Sequence, residues 1–347
     1  MAASDVNEIY ISSSPHFSAR SSTRGTMACV IITLLPLAVK GVFLYGTDAL
    51  ITILASVAAC VASEYIFQKI NKLPVRAGDG SAIVTGLLLA LILPPTGPIW
   101  MTILGAVFAI VVAKQLFGGI GANVFNPALA GRAFMIVSFP AAVGASWMKP
   151  AVVVEAEAAA RAAEALSGAT AVSSATTAID TISSATLLSS VKAGTATITG
   201  DTYLQYFLGN RAGCIGESSI LLILIAFVIL LATKIIDWRA PVAMVGTVAL
   251  CTWIAGGDVL FALLSGGLIF GATFMVTDYA TTPVTGGGRL VFGAGCGLIT
   301  FLIRQFGGYP EGVMFSILIM NAVAPFLNHI IPRKYGYGKK AGKGAAK

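Results

Sequence analysis

Charge is scarce in this sequence: 11% of its 347 residues are Asp, Glu, Lys or Arg, while 56% are hydrophobic. A soluble domain carries roughly one-quarter charged residues, so this chain lacks the means to dress a water-facing surface. Histidine is nearly absent, and His16 and His329 lie too far apart in sequence to suggest a shared site. The five cysteines, Cys29, Cys60, Cys214, Cys251 and Cys296, are scattered with no CxxC pair, which argues against a metal or disulfide framework. Four of them fall in apolar runs and read as small packing residues, leaving Cys214 as the accessible one. There is no Walker loop, no GxGxxG between a strand and a helix, and no nucleophile, base and acid set. The first 26 residues are polar and lack the apolar core of a signal peptide, so the first apolar run is expected to direct insertion.

What the sequence does have is long apolar runs, recurring along almost the whole chain and matched to a hydrocarbon core of ~30 Å. They predict an all-α polytopic membrane protein of about ten transmembrane helices. Five fall near Met27 to Tyr45, Leu50 to Phe67, Ser81 to Leu93, Ile99 to Leu116 and Ala128 to Ala145. Five more fall near Ser219 to Ile235, Pro241 to Ala255, Val259 to Val276, Leu290 to Ile303 and Gly312 to Ile331. The third is short and runs into Pro94-Pro95-Thr96-Gly97-Pro98, the mark of a broken helix whose backbone must be satisfied inside protein. With the N-terminus inside, sixteen of the 22 basic residues fall on the inner side, leaving Lys40, Lys149, Arg161, Lys192, Arg211 and Arg304 outside. Such a bias predicts both termini cytoplasmic. It also accounts for the net charge of +7 without nucleic acid, because the basic tail after Pro332 suits anionic lipid headgroups.

The resulting organisation is a cytoplasmic segment 1–26, a first membrane repeat 27–146, an extracytoplasmic loop 147–218, a second membrane repeat 219–331 and a basic cytoplasmic tail 332–347. The word repeat rests on Lys114-Gln115-Leu116-Phe117-Gly118-Gly119, echoed by Arg304-Gln305-Phe306-Gly307-Gly308 five spans later, with Thr85-Gly86 and Ser265-Gly266 as a looser match. An odd offset inverts the second copy, and inverted repeats place a binding site at their shared interface. The competing account is coincidence, since Gly-Gly after an apolar run is common in this composition. Few ionisable residues enter the spans: Lys40 near the outer end of the first, Glu64 in the second, read as interfacial through Lys69 and Lys72, and Asp278 just past the eighth. From Ser167 to Thr202 the loop is rich in Ser, Thr, Ala and Gly, which on composition alone reads as a flexible linker.

Ordered landmarks give the chain a family likeness. Ser12-Ser13-Ser14-Pro15-His16, then Gly118-Gly119-Ile120-Gly121 leading into Phe125-Asn126-Pro127-Ala128, then Thr277-Asp278 with Thr281, then Gly288-Arg289-Leu290-Val291-Phe292-Gly293, and finally Arg304 through Val313 resemble the D subunit family of the Rnf complex. That complex is an ion-pumping ferredoxin:NAD oxidoreductase of prokaryotic cytoplasmic membranes, and the family includes the B subunit of sodium-pumping NADH:quinone reductase. The resemblance implies an electron-transfer subunit working with the complex's A, B, C, E and G subunits and moving Na+ or H+. It also implies FMN joined through its phosphate to a threonine in the outer loop. The family pattern, Asp-x-x-(Ser/Thr)-x-Ala-Thr-x-Leu, is met by Asp180-Thr181-Ile182-Ser183-Ser184-Ala185-Thr186-Leu187-Leu188, which makes Thr186 the attachment point and requires a flavin transferase. Leu187 stands where proline is frequent. Asp180, Ser183 and Ser184 complete the motif, and the two hydroxyls can bond phosphate oxygens.

Rival acceptors are Thr170, in Ser167-Gly168-Ala169-Thr170 after Glu164, and Thr176, which has no acidic lead. The family can hold a second, non-covalent riboflavin nearer the cytoplasmic side, whose contacts the sequence does not assign; Asn126 is a candidate cofactor-binding residue. Glu217 is expected to cap or order the start of the sixth span, near the flavin. The polar breaks 118–126 and 277–285 are candidate linings of a binding site. Two further readings stay open: the quinone-reductase B subunit, whose N-terminal segment is usually longer, and a solute channel or secondary transporter with inverted repeats.

Overall fold

A computed structural model of the chain describes residues 22–144, 203–204, 207–209, 213–307 and 311–328. The described residues are helical and contain no strand. A first group comprises α1 (Thr23–Tyr45), α2 (Thr47–Ile70), α3 (Ser81–Leu91), α4 (Ile99–Ile110, continuing as a π-turn over Val111–Gln115), α5 (Pro127–Ser138) and α6 (Pro140–Gly144). A second group comprises α7 (Ile220–Ala232), α8 (Arg239–Ile254), α9 (Val259–Leu264), α10 (Leu268–Phe270, continuing as a π-turn over Gly271–Met275), α11 (Gly286–Phe306) and α12 (Val313–Leu327).

Three helices, α1, α2 and α11, at 23, 24 and 21 residues, are long and apolar enough to cross a membrane alone. The others are shorter because the sequence interrupts them. Pro94 and Pro95 follow α3, Pro140 separates α5 from α6, and Ser265-Gly266-Gly267 separates α9 from α10. The run 259–276, read from hydropathy as one span, is therefore two pieces, with Gly266 at φ 63° turning the chain between them. Within the expected fifth span, α5 stops at Ser138 and α6 covers Pro140–Gly144, with Ala145 outside the described residues.

The sides of the helices invert the soluble pattern. Phe43, Val228, Trp253, Phe306 and Phe326 are among many large apolar residues facing outward. Polar side chains turn inward: Ser56 donates to Gly86 O at 2.8 Å, and Thr300 donates to Ser316 Oγ at 2.8 Å. Lipid is as apolar as leucine, so helix pairing there relies on close packing and interhelical hydrogen bonds. Small residues permit it where α11 crosses α8: a Cβ on Gly297 would lie 2.5 Å from Met244 O, and one on Gly293 would strike Ala240 O.

Candidate functional site

A cavity of about 110 Å³ lies between the two groups. It is framed by Met27 and Val30 of α1, Ser81 to Leu88 of α3, Lys114 of α4's π-turn, Asn123 and Asn126 of the first polar break, Thr273 and Phe274 of α10's π-turn, and Thr277 to Ala280 of the second polar break. The two interruptions singled out in the sequence thus meet across one cavity. So do the two π-turns, one from each group; a π-turn adds a residue to a helical turn and is frequent at functional sites. Nothing in the hydropathy pattern signals either one.

Asn126 is fixed by its role in the backbone. Its Oδ1 accepts from Ala128 N at 3.1 Å and Leu129 N at 3.4 Å, capping α5 with Pro127 in the first turn. Asp278, partly buried at the cavity rim, accepts from Ala280 N and the Thr281 hydroxyl. Burial raises its pKa, and the two hydrogen bonds offset this only in part, so it binds a proton more readily than an ordinary carboxyl.

Behind Lys114 is a buried polar chain. Lys114 Nζ donates to Glu64 Oε2 at 3.0 Å and Ser81 Oγ at 2.6 Å, Gln115 Nε2 donates to Glu64 Oε1 at 2.6 Å, and Ser81 Oγ donates to Asp79 Oδ1 at 2.6 Å. Glu64 is 2% exposed, so the interfacial reading of this residue is corrected: it pairs across to α4 rather than snorkelling beside Lys69 and Lys72. A second cavity of about 190 Å³, lined by Glu64, Gln68, Arg76, Asp79 and Gln115, lies on the other side of the pair. Glu64 and Lys114 therefore stand as a charged partition between two cavities.

A second network lies where the chain returns from the 147–218 segment. Arg132 of α5 donates to Glu311 Oε2 at 2.9 Å and to Cys214 Sγ at 3.5 Å. Glu311 Oε1 accepts from Gly267 N at 2.7 Å, at the start of α10. Arg304 donates to Ala262 O at 2.7 Å and Ser265 O at 3.0 Å, at the end of α9. The broken ends of α9 and α10 are thereby satisfied by side chains of opposite charge, as their dipoles require. Cys214 Sγ donates to Ile92 O at 3.0 Å and Ile215 N to Leu93 O at 3.3 Å, sealing the end of α3 in the same way.

Three sequence expectations are corrected here. Cys214 is not accessible: it is 1% exposed, because the chain dips into the helix assembly at this point. Glu217 does not cap the following helix; Ser219 does, accepting from Leu222 N, while Glu217 turns inward toward Gly267, where a Cβ would lie 2.7 Å from its Oε1. Lys114 and Arg132, counted among inner loop charges, are buried in ion pairs and carry no orientation signal, although the inner set stays the larger without them. Lys114 and Arg304, the basic residues of the two echoed motifs, both contact the third helical segment of their own group, but at opposite ends: Lys114 at Ser81, the start of α3, and Arg304 at Ser265, the end of α9. Thr186, Asp180, Ser183, Ser184 and the rivals Thr170 and Thr176 lie outside the described residues.

Fold and site define a helical integral membrane protein with interrupted helices around an internal cavity. The chain belongs to the NQR2, RnfD, RnfE family, whose model matches residues 10–336. It is 41% identical over 95% of its length to the D subunit of a proton-translocating ferredoxin:NAD(+) oxidoreductase complex of Clostridium ljungdahlii, covering 97% of that protein. It is 40% identical, over 95% of this chain and 96% of the other, to the D subunit of a Na(+)-translocating ferredoxin:NAD(+) oxidoreductase complex of Acetobacterium woodii. The D subunit of an ion-translocating oxidoreductase complex of Stutzerimonas stutzeri is 38% identical, with 91% and 93% covered.

Proposed function

We propose that the chain is the D subunit of an ion-translocating ferredoxin:NAD oxidoreductase complex of the cytoplasmic membrane, carrying FMN on Thr186. The observation that carries this reading is the likeness, over nearly the whole of both chains, to D subunits named for that activity. Two relatives at 41% and 40% identity are named for different ions, so the proposal is of an ion, Na+ or H+, rather than of one of them.

Bound FMN would supply reversible one- and two-electron redox chemistry, with the protein providing tether and orientation. The flavin-bearing segment re-enters the helix assembly at Cys214 to Glu217, against the ends of α3 and α10, which supports a mechanical link between the redox group and the interrupted helices. Such a link is what energy conversion requires: electron transfer must favour one of two arrangements of an ion path. The residues around the inner cavity suit a neutral, partly planar ligand. Lys114 is already paired with Glu64, Asn123 and Thr277 offer polar groups, and Phe274 offers a ring face, which supports this cavity as the place for a non-covalent riboflavin beside Asn126. The topology proposed with it is two inverted five-span repeats with both termini cytoplasmic. The reach of Lys114 and Arg304, each to the third helical segment of its own group, supports it.

The test is intact mass and in-gel flavin fluorescence of the denatured protein, produced with a flavin transferase, for wild type, Thr186→Val and Thr170→Val. An FMN-sized adduct lost only in Thr186→Val is the expected result; absence of any adduct from wild type would favour a flavin-free channel or transporter.

A further inference from the structure

A third cavity, about 410 Å³, opens between the turn joining α7 to α8 and the start of α11. Its polar walls are Lys234, Asp237, Arg239, Thr282 and Arg289, with Trp238 at the mouth. We propose that this cleft binds the phosphate headgroup of an anionic phospholipid.

Three cations and one carboxylate line the cleft. Asp237 Oδ2 accepts from Arg289 Nη1 at 2.7 Å and from Arg239 Nη1 at 3.3 Å, which fixes both guanidinium groups with further N–H donors to spare. Lys234 has no hydrogen bond or ion pair from its ammonium among the described residues. It is held in the left-handed region at φ 56°, unusual for a residue with a side chain. Gly286 keeps the start of α11 bare: a Cβ there would lie 2.6 Å from Arg239 Nη1. Two fixed guanidinium groups and an unpaired ammonium around a hollow form a receptor for a phosphate oxygen cluster.

The surroundings select the source of that phosphate. Trp238 is half exposed, as aromatic residues at a membrane interface are, and Val242, Leu290 and Val291 carry an exposed apolar surface away from the cleft along α8 and α11. A free phosphate has no use for that surface, whereas an acyl chain lies along it. The loop 277–282 forms one wall of this cleft and, through Thr277 and Tyr279, also borders the inner cavity. A bound headgroup would thus brace the loop that closes the inner cavity.

The test is native mass spectrometry of the purified full-length chain titrated with phosphatidylglycerol or phosphatidylcholine, for wild type, Lys234→Gln, Lys234→Arg and Arg239→Gln. Because the Lys234 ammonium bonds to nothing among the described residues, its neutralisation leaves the fold intact. Phosphatidylglycerol is expected to bind in preference to phosphatidylcholine, with affinity about fivefold lower in Lys234→Gln and restored in Lys234→Arg. Equal binding of the two lipids, or phosphatidylglycerol binding unchanged in both neutralising variants, overturns the proposal. So does full displacement by millimolar inorganic phosphate, which would mark a free-anion site. If Lys234→Gln leaves lipid binding alone but releases a neighbouring protein from the assembled complex, an acidic protein segment is the occupant instead.

Discussion

Glu64–Lys114 and Arg132–Glu311 are both ion pairs set inside the helix assembly, yet they join different things. The first connects α2 to the end of α4, and through Ser81 to the start of α3, all within the first helix group. The second crosses from α5 of the first group to the loop before α12 of the second, and through Gly267 to the start of α10. Burial differs as well: Glu64 and Lys114 are 2% and 3% exposed, whereas Glu311 keeps 20%. A pair closed within one group holds that group's shape. A pair spanning the groups, less deeply buried and leaving Arg132 Nε without a partner among the described residues, is placed to respond when one group shifts against the other.

The strongest way to break this comparison is Lys114→Met. It strands the Glu64 carboxylate, and an uncompensated buried charge costs about 3–5 kcal/mol, whereas replacing both partners with apolar residues of similar size is often neutral. Unfolding of the purified protein in denaturant should therefore show Lys114→Met far less stable than wild type, with Glu64→Leu/Lys114→Met recovering most of the loss. A double variant as poor as the single one would mean that the pair serves more than internal charge balance.

Arg132→Met should cost less, about 2 kcal/mol, because Glu311 is less enclosed than Glu64 and keeps the Gly267 amide. Its sharper signature is local. Cys214 loses the Arg132 contact and should become reactive to maleimide, while in wild type and in Lys114→Met it stays protected. Reactivity that rises equally in Lys114→Met would erase the distinction between the two pairs.

The helical membrane class was legible because apolar length is a property of the sequence alone, and the break after α3 was legible because Pro94 and Pro95 lack backbone N–H groups. The two polar breaks, 118–126 and 277–285, were read as linings because they interrupt the paired repeats at matching places, and the structure brings residues of both to one cavity. What escaped depends on contacts between distant segments. Glu64 lies 50 residues from Lys114, and nothing in the residues around either reveals that α2 and α4 lie side by side. Cys214 belongs to a polar stretch that reads as a loop, yet it is drawn inward because the last carbonyls of α3 need donors. The break at Ser265-Gly266-Gly267 hides within an apolar run, since hydropathy is blind to φ. The π-turns carry no compositional mark at all.

The smallest effect concerns the neutral contacts that mirror the charged ones. Ser56 to Gly86 ties α2 to α3 in the first group; Thr300 to Ser316 ties α11 to α12 in the second. Neither deletion orphans its partner: Gly86 O lies inside α3, and the Thr300 hydroxyl can turn its single proton to Cys296 O, also 2.8 Å away. Interhelical hydrogen bonds of membrane proteins average about 0.6 kcal/mol, so Ser56→Ala and Ser316→Ala should each shift the unfolding midpoint slightly and about equally. Gly86→Ala at the same α2–α3 contact should cost more, about 1–3 kcal/mol, because its Cβ would lie 2.7 Å from Val57 Cα. If Ser56→Ala proved the costlier of these two, hydrogen bonding rather than close approach would be what holds the first group together, and the weight placed on small residues at the helix crossings would have to move to the polar ones.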